Sequence, residues 1–246
     1  MLVLLLGFLG FIVGSFIAVL VIRWPQGRGS VFGRSCCDSC GRTLSPAELI
    51  PIVSAAVQRH RCRSCSARIP SIHWQIETAA AVIGVLAGIS APLFQAIAGA
   101  VFGWLLLALA AIDLTALLLP NALTAALALT GLGLGLTPQL SERLIGGLAG
   151  FVVLWGVKGL YRALRGREGL GAGDPKLLGA IGCWLGWRAL PQVLLGASLL
   201  GLGYVLIERM RGNRLAGDHR LPFGAALAAA GFLAWGASSS VASAWR

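Results

Sequence analysis

The sequence predicts an all-α polytopic membrane protein with about eight transmembrane helices and a cytosolic loop domain between helices 1 and 2. The 246 residues are 57% hydrophobic and 12% charged, whereas a soluble domain carries about 25% charged residues. The apolar residues form long runs without the alternation of transmembrane β-strands. The charged residues, with a net charge of +11, fall mainly between these runs. A water-soluble domain and a disordered chain are therefore both excluded.

A helix needs about 20 apolar residues to cross a bilayer. The sequence contains eight such runs, at residues 1–22, 74–90, 92–112, 116–136, 142–161, 175–190, 191–208 and 221–244. The first run has no basic segment before it, so we expect it to be retained as a helix and not cleaved as a signal peptide. These runs predict a first helix at 1–22, a tetracysteine domain at 23–72 and a seven-helix core at 73–246.

The basic residues set the predicted orientation. If the N-terminus lies outside, 17 of the 20 Lys and Arg residues face the cytosol, in the loops after runs 1, 5 and 7. Basic residues favour the cytosolic side of a membrane, so both termini are predicted to be outside. A basic chain can also bind nucleic acid, but the placement of these charges between membrane runs argues against it.

Four cysteines of the loop form two CxxC pairs, Cys37/Cys40 and Cys62/Cys65. Two such pairs are typical of a structural zinc site, because each turn directs two sulfurs at one ion and the four sulfurs close a tetrahedral shell. Disulfide or redox chemistry is the alternative, and the reducing cytosol disfavours it. Cys36 is a spare thiol that could compete as a ligand.

Six of the nine carboxylates lie in loops or at the ends of runs and are expected to be solvated charges: Asp38, Glu48, Glu142, Glu168, Glu208 and Asp218. Asp113 is different because apolar residues flank it on both sides. An ionisable residue in such a setting is costly and indicates function. The predicted orientation places it at the cytosolic end of the third helix.

Asp174 lies in the sequence Gly171-Ala-Gly173-Asp174-Pro175-Lys176. Aspartate is a good N-cap and proline fits the first helical position, so Asp174 is expected to begin the sixth helix on the cytosolic side. The glycines would allow positive φ and a close approach by another chain segment. Lys176 does not share the helix face of Asp174, and could tune the local field or bind a substrate carboxylate.

Asp113 and Asp174 are therefore predicted at the same membrane level. Two such carboxyl groups can hydrolyse an amide, one taking a proton from water while the other donates to the scissile carbonyl. The helix N-terminus favours the anion of Asp174, which makes it the candidate base and Asp113 the candidate acid. The residues alone leave a proton relay in a transporter as an equal alternative.

Several motifs together resemble those of bacterial prepilin peptidases, the type IV prepilin leader peptidases. The stretch from Gly166 to Trp187 resembles their GxGD region, and Asp113 to Asn121 resembles their first aspartate motif. Other similar features are the first-span residues Gly14-Ser15-Phe16-Ile17 and Arg23-Trp24-Pro25, the paired CxxC loop, and Leu221-Pro222-Phe223-Gly224.

The resemblance implies an eight-span aspartic protease of the bacterial inner membrane. Such enzymes cut the short basic leader from prepilins or pseudopilins of type IV pili and type II secretion. Many also methylate the new N-terminus with S-adenosylmethionine. It also implies that Asp113 and Asp174 are catalytic, that Cys37, Cys40, Cys62 and Cys65 bind zinc, and that Glu77 matches a family glutamate, with a buried ion pair as the plainer interpretation. Contacts for a basic leader could come from Glu168, Glu208 and Asp218.

The chain departs from the family pattern at several positions. Ala18 replaces a frequent Asn, Pro175 follows the second aspartate where Phe or Val is usual, and Ala226 replaces a proline. Residues 44–53 lack an aromatic-Asp element, and residues 24–72 contain no glycine-rich cofactor loop. Both predicted catalytic aspartates are present, so cleavage is the predicted activity and methylation stays open.

Overall fold

The computed structural model describes residues 1–27, 35–49, 51, 57–58, 61–135, 139–167, 169–212 and 221–244. They separate into two compact units, residues 1–89 and 90–246. The described residues form eight α-helices: α1 Leu2–Arg23, α2 Ile72–Ser90, α3 Leu93–Ala116, α4 Asn121–Leu134, α5 Leu140–Arg165, α6 Asp174–Leu185, α7 Leu190–Met210 and α8 Phe223–Ala244. Each predicted apolar run corresponds to one of them, and the all-α prediction is confirmed.

Five helices, α1, α2, α3, α5 and α7, are long and apolar enough to cross a membrane. The chain is therefore a multi-pass membrane protein. The other three helices, α4, α6 and α8, do not meet this criterion of length and hydropathy in the residues described. α4 has 14 residues and α6 has 12, lengths of about 21 Å and 18 Å against a hydrocarbon core of about 30 Å. The apolar stretch described in α8 is Phe223–Ser238.

In residues 1–89, α1 and α2 pack against each other through glycines. A Cβ atom at Gly10 would lie 2.4 Å from the Ala80 carbonyl oxygen, and one at Gly84 would lie 2.2 Å from that of Leu6. Gly14 similarly faces the backbone of Glu77. The N-terminal part of each helix thus meets the C-terminal part of the other, which makes the pair antiparallel. Small residues at such an interface let helix backbones approach closely in a membrane.

In residues 90–246, α6 is the central helix, because 11 of its 12 residues are buried. Its contact with α5 is backbone to backbone, and a Cβ atom at Gly146 would lie 2.4 Å from the Gly182 carbonyl oxygen. Trp184 joins it to two other helices. Its Nε1 donates to the Leu127 carbonyl of α4 at 2.7 Å, and its ring lies 4.8 Å from that of Phe102 of α3. The core of this unit therefore surrounds the helix that begins at Asp174.

The boundary between α3 and α4 differs from the prediction and defines the surroundings of Asp113. α3 continues to Ala116, beyond the predicted end at residue 112, and α4 begins at Asn121 and not at 116. Leu117 adopts a left-handed conformation with φ of 51°, and its N–H donates to the Asp113 carbonyl. Pro120 has no N–H to donate and precedes α4. Asp113 therefore lies in the last turn of α3, just before a non-helical turn.

Candidate active site and metal centre

The Asp113 side chain is buried, with 6% of its residue surface exposed. Its Oδ2 accepts the backbone N–H of Ala225 at 2.8 Å. A Cβ atom at Gly224 would lie 2.9 Å from the same oxygen, so glycine is required for this close approach. Both residues belong to the first turn of α8, whose N–H groups have no partner within their own helix. The carboxyl group of one helix thus accepts a hydrogen bond from the N-terminus of another.

Asp174 is the first residue of α6 and has 4% of its surface exposed. Its expected role as N-cap is wrong, because Gly173 is the N-cap residue and no side-chain capping bond is formed. The Asp174 Oδ2 instead accepts the backbone N–H of Gly171 at 2.9 Å. The carboxyl group is therefore turned toward the loop that precedes the helix.

The two glycines permit close approach, and neither of them adopts a positive φ. Gly173 has φ of −84°, and the positive-φ glycines of the chain do not include Gly171. A Cβ atom at Gly171 would lie 3.0 Å from the Asp174 Oδ2, and one at Gly173 would lie 2.6 Å from the Leu119 Cβ. Because it has no side chain, Gly171 leaves room for the Asp174 carboxyl group, and Gly173 leaves room for Leu119 of the α3–α4 turn.

The structure brings Asp113 and Asp174 together. Leu119, from the turn after Asp113, packs against Gly173 beside one aspartate and against Gly224 beside the other. The two carboxyl groups are close enough for the charge of Asp113 to act on Asp174, and Lys158 of α5 also acts on it. Both carboxyl groups accept a backbone N–H near a helix N-terminus. Proximity to a helix N-terminus therefore does not tell which aspartate is the acid and which is the base.

Lys176 contacts a neighbouring helix and not Asp174. Its Nζ donates to the Asn121 Oδ1 at 2.7 Å. Asn121 is the first residue of α4 and Lys176 lies in the first turn of α6. The bond therefore joins the start of α4, which follows Asp113, to the start of α6, which begins with Asp174.

The four predicted ligand cysteines form one cluster, in which the sulfur atoms all lie within 4.8 Å of one another. The Cys37 and Cys65 sulfurs are 3.9 Å apart. A tetrahedral zinc site with Zn–S bonds of about 2.3 Å has sulfurs about 3.8 Å apart. All four cysteines are free thiols, so the structure does not support the disulfide alternative. The cluster can hold a metal ion.

The two cysteine turns repeat one backbone pattern. In the first turn, the Cys37 N–H donates to the Arg42 carbonyl and the Gly41 N–H donates to the Cys37 carbonyl. In the second, Cys62 and Ala67 make the first bond, and Ser66 and Cys62 make the second. The backbone N–H groups of Cys65 and Ser64 lower the pKa of Cys62 to about 6, which favours the thiolate that a metal requires.

Cys36 does not belong to the cluster. Its sulfur and its carbonyl oxygen both accept from the Arg23 guanidinium, at 3.4 Å and 3.0 Å. The same guanidinium pairs with Asp38 at 3.1 Å. The last residue of α1 thus holds the first cysteine turn in place.

The prediction that Glu48 is a solvated charge is wrong. Its side chain is 3% exposed, and it accepts hydrogen bonds from the Ser45 N–H, the Ser45 hydroxyl and the Arg42 guanidinium. The Ser45 N–H and the Arg42 guanidinium lower the pKa of Glu48 to about 2. Glu77 is buried as well, on α2 facing Gly14.

Two of the three acidic residues considered for leader binding, Glu168 and Asp218, lie outside the described residues. The third, Glu208, forms an ion pair with Arg211 at 3.2 Å. The sequence interpretation also missed the Ala225 N–H at Asp113, the packing of Leu119 beside both aspartates and the bond between Asn121 and Lys176. The Leu221–Gly224 motif was the available signal for Ala225, since it immediately precedes that residue.

Comparisons with known proteins identify the family of this chain. Residues 100–206 match the model of the type IV leader peptidase family, and residues 8–91 match the bacterial peptidase A24 N-terminal domain. A prepilin leader peptidase/N-methyltransferase from Aeromonas hydrophila is 40% identical over 83% of this chain and 72% of its own length. The chain belongs to the type IV leader peptidase family. The first family match contains both aspartates, and the second contains all four cysteines of the cluster.

Other relatives extend the similarity along the chain. Proteins of the same name are 38% identical in Burkholderia pseudomallei, over 91% of this chain and 81% of the relative, and 36% identical in Pseudomonas aeruginosa, over 93% and 88%. No solved structure matches the chain. The comparisons give no support to the transporter alternative.

Proposed function

We propose that this protein is an aspartic endopeptidase that removes the short basic leader from prepilins or pseudopilins, with Asp113 and Asp174 as its catalytic pair. The observation that carries the proposal is the meeting of the two buried carboxyl groups around Leu119. Family membership supplies the substrate class, since the relatives are named as prepilin leader peptidases.

The contacts of the carboxyl groups suit this chemistry. Each uses Oδ2 to accept a backbone N–H, which fixes its orientation. The ionised carboxylate would take a proton from water as the water oxygen attacks the scissile carbonyl carbon. The protonated carboxyl group would donate to the carbonyl oxygen. Collapse of the tetrahedral intermediate then breaks the C–N bond, and the departing amine takes up a proton.

The backbone around the aspartates supports access for water and substrate. Asp113 precedes the non-helical residues 117–120, and Asp174 follows the non-helical residues 169–173. Within a membrane, non-helical backbone is tolerated only where protein buries it or water reaches it. A scissile bond must also be extended, because a helix hides its carbonyl in an internal hydrogen bond. The junction between a polar leader and an apolar helix satisfies that requirement.

We also propose that all eight helices cross the membrane and that both termini lie outside. The short helices α4 and α6 would complete their crossings with the non-helical segments that precede them. This arrangement keeps the division into a first helix at 1–22, a cytosolic tetracysteine domain at 23–72 and a peptidase core at 73–246. The distribution of basic residues supports it, and it places the aspartates at the cytosolic membrane face.

Zinc is the ion that we propose for the cysteine cluster. Four thiolates are soft ligands that suit zinc, and a closed four-sulfur shell leaves no position for substrate. Cys37, Cys40, Cys62 and Cys65 would hold the ion. Its contribution would be to stabilise the fold of a loop that has little apolar core.

Cleavage can be tested by incubating the detergent-solubilised protein with a purified prepilin. Mass spectrometry of both products identifies the bond that is cut. We expect cleavage at the leader junction by the wild type and by Glu142→Gln, which removes a carboxylate elsewhere in residues 90–246. Asp113→Asn and Asp174→Asn should leave the substrate intact. Cleavage by either aspartate variant at the wild-type rate would refute the proposal.

N-methylation is the second candidate function, favoured by the relatives, which are named as prepilin leader peptidase/N-methyltransferases. S-adenosylmethionine would be the methyl donor. The same reaction with added S-adenosylmethionine would yield a mature product heavier by one methyl group. An unmethylated product from fully active, metal-loaded peptidase would limit the protein to proteolysis.

A further inference from the structure

The α3–α4 turn carries three consecutive leucines, and the third differs from the other two. Leu117 and Leu118 are 48% and 46% exposed, whereas Leu119 is half-buried. Leu119 is therefore the leucine of this turn that packs against the rest of residues 90–246.

The end of the Leu119 side chain lies between the starts of α6 and α8. Its Cδ1 would be 2.9 Å from a Cβ atom at Gly173 and 2.9 Å from one at Gly224. Gly173 immediately precedes Asp174, and Gly224 belongs to the helical turn that donates to the Asp113 carboxyl group. One methyl group thus contacts both of the backbone segments that hold the aspartates.

Hydrogen bonds hold the backbone around Leu119 from both sides. Two residues before it, the Leu117 N–H donates to the Asp113 carbonyl at 2.9 Å. Two residues after it, the Asn121 Oδ1 accepts the Lys176 Nζ of α6 at 2.7 Å. The turn is therefore attached to the helix of one aspartate on one side and to the helix of the other aspartate on the other side.

We propose that Leu119 is a positioning residue of the peptidase, which holds Asp113 and Asp174 in alignment by filling the space between Gly173 and Gly224. Its side chain has no polar atom, so it acts only through the backbone that it contacts. Removal of a packed side chain leaves a cavity into which the surroundings relax in part, and a displacement of about 1 Å at a catalytic group can cost about 100-fold in rate. This inference rests on the proposed peptidase activity and adds to it a residue outside the acid pair.

The first test measures cleavage of a purified prepilin by the full-length solubilised protein, below the unfolding temperature of every variant. We expect Leu119→Ala to lower kcat about 100-fold with KM within about twofold of the wild type. Leu119→Val, which lacks the Cδ1 atom, should lower kcat about tenfold. Leu119→Met conserves the volume and should stay within about fivefold of the wild type.

Two leucines provide matched controls for the same substitution. Leu118→Ala changes the exposed neighbour in the same turn. Leu106→Ala removes a side chain that is 2% exposed and lies on α3 about two turns before Asp113, so it destabilises the core without touching the turn. Both controls should keep kcat within about threefold of the wild type, although Leu106→Ala should unfold at a lower temperature.

A second test examines the contact itself through thermal unfolding. The three heavy atoms nearest to a Cβ at Gly173 all belong to the Leu119 side chain, at 2.6, 2.9 and 3.2 Å. Leu119→Gly removes all three, so Gly173→Ala should lower the unfolding temperature less in that background than in the wild type. Gly224→Ala should gain less from Leu119→Gly, because its Cβ would still lie 2.9 Å from the Asp113 Oδ2.

The outcomes separate this inference from the proposed function. If the wild type cleaves prepilin, then wild-type kcat in Leu119→Ala, an equal loss in either control, or a change confined to KM would overturn the inference alone. If Leu119→Ala is too unstable to assay, wild-type kcat in Leu119→Val would overturn it. An equal effect of Gly173→Ala in both backgrounds would also do so. A wild type that leaves prepilin intact would refute the proposed function, and this inference with it.

Discussion

In residues 1–89 the four sulfurs lie on two short turns of a polar loop, whereas in residues 90–246 the two carboxyl groups lie at the ends of packed helices. The sulfurs meet because each turn repeats the same hydrogen bonds. The carboxyl groups meet because α3, α6 and α8 bring three distant parts of the chain together. A local pattern thus builds the metal site, and tertiary packing builds the acid pair. Changes to one site are therefore expected to leave the other intact.

Removal of metal ligands is expected to produce the largest difference in effect between the two sites. The double variant Cys62→Ser/Cys65→Ser should bind no metal, because two of four ligands are lost, while its cleavage of prepilin stays within about threefold of the wild type. Metal content and cleavage rate are measured on the same preparation. Cys36→Ser is the control and should keep its metal. Complete loss of cleavage in the double variant would show that the two sites depend on each other.

Packing of α5 on α6 supports the acid pair but not the cysteine cluster. Gly146→Leu would force a side chain into the Gly182 backbone and should destabilise the protein by about 3 kcal/mol, with loss of cleavage and retention of metal. Gly156→Leu is the control on the same helix, because a Cβ atom there would meet nothing within 4 Å. Thermal unfolding in detergent compares the two. Equal unfolding temperatures would contradict the close packing of α5 on α6.

The sequence predicted the features that depend on local patterns and did not predict the contacts that depend on tertiary packing. Long apolar runs identify helices because their length and composition suffice, so each of the eight runs matched one. The cysteine spacing predicted the cluster because CxxC is a local motif. The contacts of Asp113 could not be predicted, since Ala225 is 112 residues away. The burial of Glu48 also escaped prediction, although Ser45-Pro-Ala-Glu48 has the spacing of a capping box, in which the glutamate accepts the serine N–H. The pairing of Glu48 with Arg42 has no such sequence pattern.

A smaller effect is expected at the bond between Lys176 and Asn121, which joins the starts of α4 and α6. Lys176→Met should lower kcat about tenfold with little change in KM, because a slightly displaced catalytic group loses rate while substrate binding persists. Asn121→Asp should retain activity, since lysine can pair with the carboxylate. A change confined to KM would instead indicate that Lys176 binds substrate.

The smallest effect compares the two cysteine turns directly. Gly41 and Ser66 occupy equivalent positions with φ of 71° and 57°. This conformation costs a residue with a side chain about 1 kcal/mol. Ser66→Gly should therefore raise metal affinity, and Gly41→Ala should lower it, each by about fivefold. Chelator competition measures both, and changes of the same sign would show that the turns are not equivalent.

The central claim is that Asp113 and Asp174 act as one catalytic unit, and single-turnover cleavage of a saturating prepilin tests it most directly. Asp113→Asn, Asp174→Asn and the double variant are compared at equal metal content and equal thermal stability. We predict that each single variant loses at least about 1,000-fold in rate and that the double variant loses no more, since residues of one catalytic unit are not additive. A single variant within tenfold of the wild type, or losses that multiply in the double variant, would contradict the claim.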